Sequence, residues 1–207
     1  MKCRKERWAT ADLWELERAC WGRGAHLVCG ADEAGAGPLA GAVYAAAVIL
    51  PRELLIPGLN DSKKLSPSKR EALYSVIVEQ AVAWAVASVD EAEIDRINIL
   101  NARMLAMNKA ICMLNPAPDY ALIDGDKNRG ISVPNETAVK GDGRSANIAA
   151  ASILAKVSRD RYMVEMAQRY PQYEFERHKG YPTKRHYELL RKYGPCPIHR
   201  MTFLKKL

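Results

Sequence analysis

The sequence predicts an α/β fold with a mixed five-stranded sheet flanked by helices. Three observations predict it: five short runs of strand length, a helical crossover between the third and fourth, and a long helical stretch after the fifth. At 207 residues one substantial core is expected. We divide it into a main domain over residues 1–170 and a small C-terminal helical appendage over residues 171–207.

In chain order, Thr10 precedes an apolar periodic stretch with Leu13, Leu16 and Cys20 at helical spacing, and Gly22 stops it. His26 to Gly30 reads as a strand leading into Ala31-Asp32-Glu33. Ala34-Gly35-Ala36-Gly37-Pro38 is turn chemistry, and residues 42–50 are a nearly unbroken apolar run ending at Pro51, so the two runs predict a hairpin. Residues 58–65 form a polar loop. Ser66-Pro67 then starts a helix over roughly residues 68–80, with Pro at the favoured first position. A third strand spans residues 83–89. Apolar residues from Ile94 to Ile111 suit one or two helices crossing a sheet, stopped by Pro116 and Pro118. Tyr120 to Asp124 is the fourth strand and residues 136–139 the fifth. A long helix covers about 145–170, and a last one covers 184–193.

Composition narrows the function. The formal net charge is +7, and excess Lys and Arg point to a polyanionic partner, with nucleic acid first. Five cysteines without a C-x-x-C pair suggest neither a disulfide framework nor a zinc site. The basic stretch Met1–Trp8 lacks a following apolar region, and no apolar run reaches the roughly 18 residues needed to span a bilayer. The expectation is a cytoplasmic protein, monomeric and without a membrane partner.

Four carboxylates stand where a strand ends or a helix begins, the edge at which open α/β sheets bind ligands. Asp32 and Glu33 close the first strand, Asp124 closes the fourth before Gly125, and Asp142 lies in Lys140-Gly141-Asp142-Gly143 ahead of the long helix. Each has a plainer reading: Asp142 as a helix cap, Asp124 as a turn former. The adjacent pair Asp32-Glu33 is harder to explain without a cation, because neighbouring acids at the end of a core strand repel. Oxygen donors without matching His or Cys favour Mg²⁺ or Mn²⁺ over zinc. Two such ions, roughly 3.5 to 4 Å apart, can activate a water and stabilise the leaving oxygen of a phosphodiester.

Taken together, the motifs resemble the ribonuclease HII family over about residues 26–200. Residues 30–41, with Asp32-Glu33-Ala34-Gly35-Ala36-Gly37, are similar to its first-strand signature, and Asn60-Asp61-Ser62-Lys63-Lys64-Leu65 to its basic loop. Ile123-Asp124-Gly125 and Lys140-Gly141-Asp142 resemble its third and fourth acidic positions. Residues 148–161 resemble its long helix, and His178-Lys179-Gly180-Tyr181 and residues 193–200 its C-terminal segments.

The resemblance implies an RNase H-like fold in which Asp32, Glu33, Asp124 and Asp142 are metal-binding catalytic acids, with Asp32 bridging two ions. The implied reaction is hydrolysis on the 5′ side of a ribonucleotide in an RNA/DNA hybrid or in duplex DNA, the first step of ribonucleotide excision repair. It also implies substrate contacts from Gly35, Ala36, Gly37, Ser62, Lys63, Lys64, Arg144, Ser145 and Tyr181. The family reads the 2′-hydroxyl, the group that distinguishes RNA from DNA, with the backbone of a Gly-Arg-Gly turn. Here that turn is Gly35-Ala36-Gly37, so position 36 lacks a guanidinium that would clamp phosphate. Weaker substrate binding, or a substitute cation such as Arg144 or Lys63, is the expectation.

Other residues have surface readings. Lys156, Arg159 and Arg161 suit an exposed helical face, Asp160 a pairing with Arg159, Arg161 or a neighbouring loop, and Asp126, within reach of the site, a solvated turn. His178, Lys179, Lys184, Arg185 and His186 gather around Tyr181 as a duplex clamp. Two alternatives remain open from the sequence: a nucleic-acid-binding homologue with catalysis weakened by Ala36, and a phosphotransferase acting on small molecules.

Overall fold

The first two strands form the predicted hairpin. β1 (Val28–Ala34) and β2 (Val43–Ile49) pair antiparallel, with Asp32 opposite Ala46. β3 (Ala83–Val89) continues the antiparallel sheet on the far side of β2. β4 (Tyr120–Asp124) returns to the near side and pairs parallel with β1, and β5 (Asn135–Ala138) pairs parallel with β4. The order is β3-β2-β1-β4-β5, a mixed sheet. The computed structural model describes residues 12–205. The basic stretch Met1–Trp8 and the helix start at Thr10 lie outside the described residues.

Both faces of the sheet are covered, which explains the unbroken apolar run of β2. Side chains alternate across a strand. Val43, Ala45, Ala47 and Ile49 therefore join Cys29, Ala31 and Ile123 in a core beneath α3 (Glu91–Ile97) and α4 (Ile99–Cys112). Ala46 and Val48 point the other way, against α2 (Pro67–Gln80) and the 24-residue α5 (Ala146–Arg169). The first half of α5 is rich in alanine, and small side chains let it lie close on the sheet. The crossover resolves into two helices because Asn98 takes φ 66° and its side chain accepts the Asn101 N–H, capping α4.

α1 (Glu15–Gly22) fastens the start of α5. The Glu17 carboxylate is fully buried and accepts the Ser145 hydroxyl at 2.6 Å and the Asn147 N–H at 3.0 Å. Asn147 in turn donates to Val28 O and accepts the Leu50 N–H, tying the helix to β1 and to the end of β2.

The C-terminal residues fold back as α6 (Phe175–His178) and α7 (Lys184–Tyr193). They share an apolar cluster with the main body, in which Tyr173, Phe175, Leu189 and Leu190 pack with Leu39, Ala40, Met163 and Met166. Within the expected clamp around Tyr181, Lys184 and Arg185 are exposed, while the histidines turn inward. His186 and His199 are buried with their Nε2 atoms 3.0 Å apart, and the His178 and His186 rings stack at 4.3 Å, so these imidazoles pack on one another. Among the described residues, no helix is long and apolar enough to cross a membrane.

Candidate active site

Parallel pairing builds the site. Ala31 lies beside Ile123 in the β1–β4 register, so one step further along both strands sets Asp32 next to Asp124 at the C-terminal edge. Ala138 lies beside Asp124 in the next pair, and the chain leaving β5 turns back over that edge through Gly141–Gly143. The Asp124 carboxylate accepts the Gly141 N–H at 2.9 Å, which pins the turn carrying Asp142. Asp142 is no helix cap: Ser145 holds that position, its Oγ accepting the Ile148 N–H.

The four acids act on one another. Burial, then Glu33 and Asp124, push the Asp32 carboxyl well above the usual range, against the Glu33 N–H and Lys63. Glu33 is raised by burial and Asp124, with Arg103 opposing. Asp142 is raised by burial, by Asp61 and by Asp124. Lys63 faces all of this charge. Burial works against its ammonium, but Asp32, Asp61, Asp142 and Asp124 outweigh burial and hold its proton more tightly than usual.

Asp32 and Glu33 leave the strand on opposite faces, which meet at this edge. Glu33 Oε1 lies 3.2 Å from Arg103 Nε on α4, while its buried Oε2 has no partner. Such an orphaned carboxylate oxygen in low dielectric is costly and suits a cation. The donor set is all oxygen, as hard divalent ions prefer. Among the described residues no three His, Cys, Asp or Glu side chains form a ready ligand group, so this is an open cluster and not a closed cage. Mg²⁺ commonly binds to one or two carboxylates with substrate phosphate and water completing the shell, and the residues fit that mode.

The expected substrate contacts divide. Gly35, Ala36 and Gly37 form the turn leaving β1, with Gly35 at φ 96°. Tyr181 is partly exposed, its ring above the guanidinium of Arg159 at 5.6 Å and the ammonium of Lys156 at 5.8 Å. Lys63 and Lys64 occupy a short 3₁₀ turn whose start is capped by Asp61, and Lys64 is largely solvent-facing. Ser62 is buried, with its carbonyl held by Arg70. Ser145 is fully buried and committed to Glu17 and Ile148, and Arg144 is paired with Glu15 at 2.6 Å.

Several surface readings change. Arg159 is fully buried under the C-terminal appendage. Asp160 pairs with Lys156 at 2.7 Å and sits 3.9 Å from Arg70. Asp126 stays exposed beside Lys127 at 3.0 Å. Sequence reasoning missed Arg103 as a partner of Glu33 and left Asp61 outside the site. Asp61 lies within the basic loop itself, two residues before Lys63, a signal in plain view. Arg103 carries none, since its contact spans helix and sheet.

Comparison with known proteins agrees with this architecture. A family model described as Ribonuclease HII matches residues 29–206. A Ribonuclease HII from Caldicellulosiruptor bescii is 53% identical over 196 residues, covering 95% of each chain. Two solved structures superpose well. One is the PCNA:RNase HII complex from Archaeoglobus fulgidus, with TM-score 0.73, 26% identity, and coverage of 88% of this chain and 96% of that one. The other is ribonuclease H2 from Pyrococcus horikoshii OT3, with TM-score 0.70, 28% identity, and coverage of 86% and 93%. Both match the mixed five-stranded sheet flanked by helices that the sequence predicts. A family match across most of the chain, joined to near full-length identity above one half, means that this chain belongs to the ribonuclease HII family.

Proposed function

We propose that this ribonuclease cuts the phosphodiester on the 5′ side of ribonucleotides, in RNA/DNA hybrids or embedded in duplex DNA, and so opens ribonucleotide excision repair. The observation that supports it most is the meeting of Asp32, Glu33, Asp124 and Asp142 at one sheet edge, with Lys63 among them and an orphaned Glu33 oxygen within. Those four acids would hold two Mg²⁺ or Mn²⁺ ions. Bound there, the ions would supply Lewis-acid activation of water and charge stabilisation at the phosphoryl group.

The chain's own residues do the rest. Asp124 and Gly141 fix the turn that presents Asp142. Arg103 favours the ionised form of Glu33 against its burial. Lys63 balances the acids and, with Lys64, offers positive charge to the phosphate backbone. Gly35, Ala36 and Gly37 border the same edge from β1 and would meet the ribonucleotide through their main chain, with Tyr181 beside its sugar. The appendage from residue 171 onward would carry that tyrosine to the duplex. Ser145 caps the helix start and Arg144 pairs with Glu15, so this reading gives the phosphate contacts to Lys63 and Lys64 first. The binding-only alternative finds no support in the comparisons, which match ribonucleases.

A cleavage assay tests this. Duplex DNA with a single ribonucleotide and a continuous RNA/DNA hybrid are incubated with Mg²⁺, with Mn²⁺ or with EDTA. We expect cuts 5′ to the ribonucleotide with either ion and none in EDTA; cleavage in EDTA, or intact substrate with both ions, overturns the reading.

A further inference from the structure

Two arginines from unrelated elements, Arg159 on α5 and Arg200 in the tail, are fully buried. Both direct their donors at the loop that leaves β1. Arg200 Nη2 donates to Gly35 O at 2.7 Å and Nη1 to Ala36 O at 3.1 Å, while Nε and Nη2 hold Gly41 O at 2.9 and 2.6 Å. Arg159 donates from Nε to Ala42 O and from Nη2 to Ala40 O, each at 3.2 Å, and also to Lys179 O at 3.1 Å. Among the described residues neither guanidinium pairs with a carboxylate. A charge buried at that cost needs a structural return, since an apolar side chain would fill the space more cheaply.

The return lies in peptide geometry. In a planar trans peptide the C=O of one residue points opposite to the N–H of the next. Gly35 O and Ala36 O both face inward onto Arg200, so the amides of Ala36 and Gly37 both face away from it, side by side. Neither finds an acceptor among the described residues. Two successive amides turned to one side form a nest for an electron-rich atom, and the guanidinium behind them adds to the field.

We infer that Arg200 is a positioning residue that sets specificity: by gripping the Gly35 and Ala36 carbonyls from beneath, it aims the Ala36 and Gly37 amides at the 2′-hydroxyl oxygen of the ribonucleotide. The inference rests on the proposed meeting of residues 35–37 with that nucleotide. It also explains how position 36 tolerates alanine, because the recognising groups belong to the main chain and their orientation is set by Arg200.

The test measures binding by fluorescence anisotropy, with Ca²⁺ in place of Mg²⁺, to two labelled duplexes that differ only in one ribonucleotide. The unmodified enzyme is expected to prefer the ribonucleotide duplex. In Arg200→Lys a single nitrogen replaces the planar fork and cannot stand where Nε, Nη1 and Nη2 each meet their carbonyls. We expect its affinity for the all-DNA duplex to stay within twofold and its preference to fall at least tenfold. A purely structural role would lower both affinities together. A second protein, with glycolic acid replacing Gly37, loses one N–H and leaves the arginine intact, so it applies even where Arg200→Lys fails to fold; the same loss of preference is expected. Full preference retained in either protein overturns the inference and leaves the proposed function standing. An unmodified enzyme without preference overturns both.

Discussion

The Asp124 carboxylate accepts a hydrogen bond from the Gly141 amide at 2.9 Å, joining the end of a central strand to the turn that carries Asp142. Space at this joint is tight. A methyl group on Gly141 would come within 2.5 Å of Ile148 Cδ1, 2.9 Å of Ala138 Cβ and 3.3 Å of Asp124 Oδ1. In Gly141→Ala the turn must lift away from the sheet edge and take Asp142 with it. We expect kcat to fall about 100-fold, since small misplacements of catalytic groups cost that much, with a stability loss of roughly 1–3 kcal/mol from overpacking. Steady-state cleavage and urea unfolding measure the two, and a fully active Gly141→Ala would show that the joint does not position Asp142.

Asp32 illustrates the opposition between stability and function. It is buried and lies against Glu33 and Asp124, so the folded state pays for its ionisation. Neutralising it in Asp32→Asn relieves that repulsion while removing a proposed metal ligand. We expect unfolding in EDTA to shift upward by on the order of 1 kcal/mol, with cleavage lost. A variant destabilised in EDTA would mean that the carboxylate makes attractive contacts that repulsion does not outweigh.

Arg103 pairs with Glu33 at 3.2 Å and opposes the rise in that acid's pKa. Arg103→Met keeps the stem and removes the charge, so Glu33 takes up a proton more readily. Partners behind a metal ligand are typically worth 10- to 100-fold in metal affinity. We therefore expect the Mg²⁺ concentration for half-maximal cleavage to rise about tenfold, with the rate at saturating Mg²⁺ largely restored. An unchanged Mg²⁺ dependence would remove Arg103 from the site.

How far this was legible in the sequence depends on whether the cause is local. β3, β4 and α7 begin and end where strand runs, Pro stops and caps put them, at Ala83–Val89, Tyr120–Asp124 and Lys184–Tyr193. The four acids were visible because each sits beside a strand end or a turn. Arg159 read as surface charge, since α5 has an apolar face without it and its burial depends on an appendage folding back from 20 residues away. His186 read as part of a duplex clamp for the same reason. The pairing of Arg103 with Glu33 depends on how α4 crosses the sheet, which periodicity leaves undetermined.

Position 36 gives a further test. Arg200 takes the Ala36 carbonyl and leaves its side chain partly exposed, so a longer side chain there meets solvent before it meets protein. Arg144 pairs with Glu15 and Lys63 sits among the acids, so an arginine at position 36 would add a cation where neither of them stands. Ala36→Arg is expected to tighten substrate binding, lowering KM about tenfold with kcat unchanged, the order of one charge-assisted contact to phosphate. Unchanged KM and kcat would mean that no phosphate passes within reach of residue 36.

The imidazole cluster predicts acid sensitivity of the appendage. Burial pushes His186 and His199 down to about 4, with His178 also lowered, so both rings are neutral in the folded protein. Unfolded, they would bind protons near the ordinary value of about 6.5. Below that value the unfolded state binds more protons than the folded one, so stability falls with pH. The contribution is complete above about 6.5 and is lost as pH drops toward 4. By pH 5 the loss is on the order of 2 kcal/mol per ring. Urea midpoints at pH 7.5 and 5.0 measure it, and NMR titration of the imidazole C2 protons identifies the groups. Rings that titrate near 6.5 in the folded protein would show that the appendage opens to water and that Tyr181 does not rest on a rigid support.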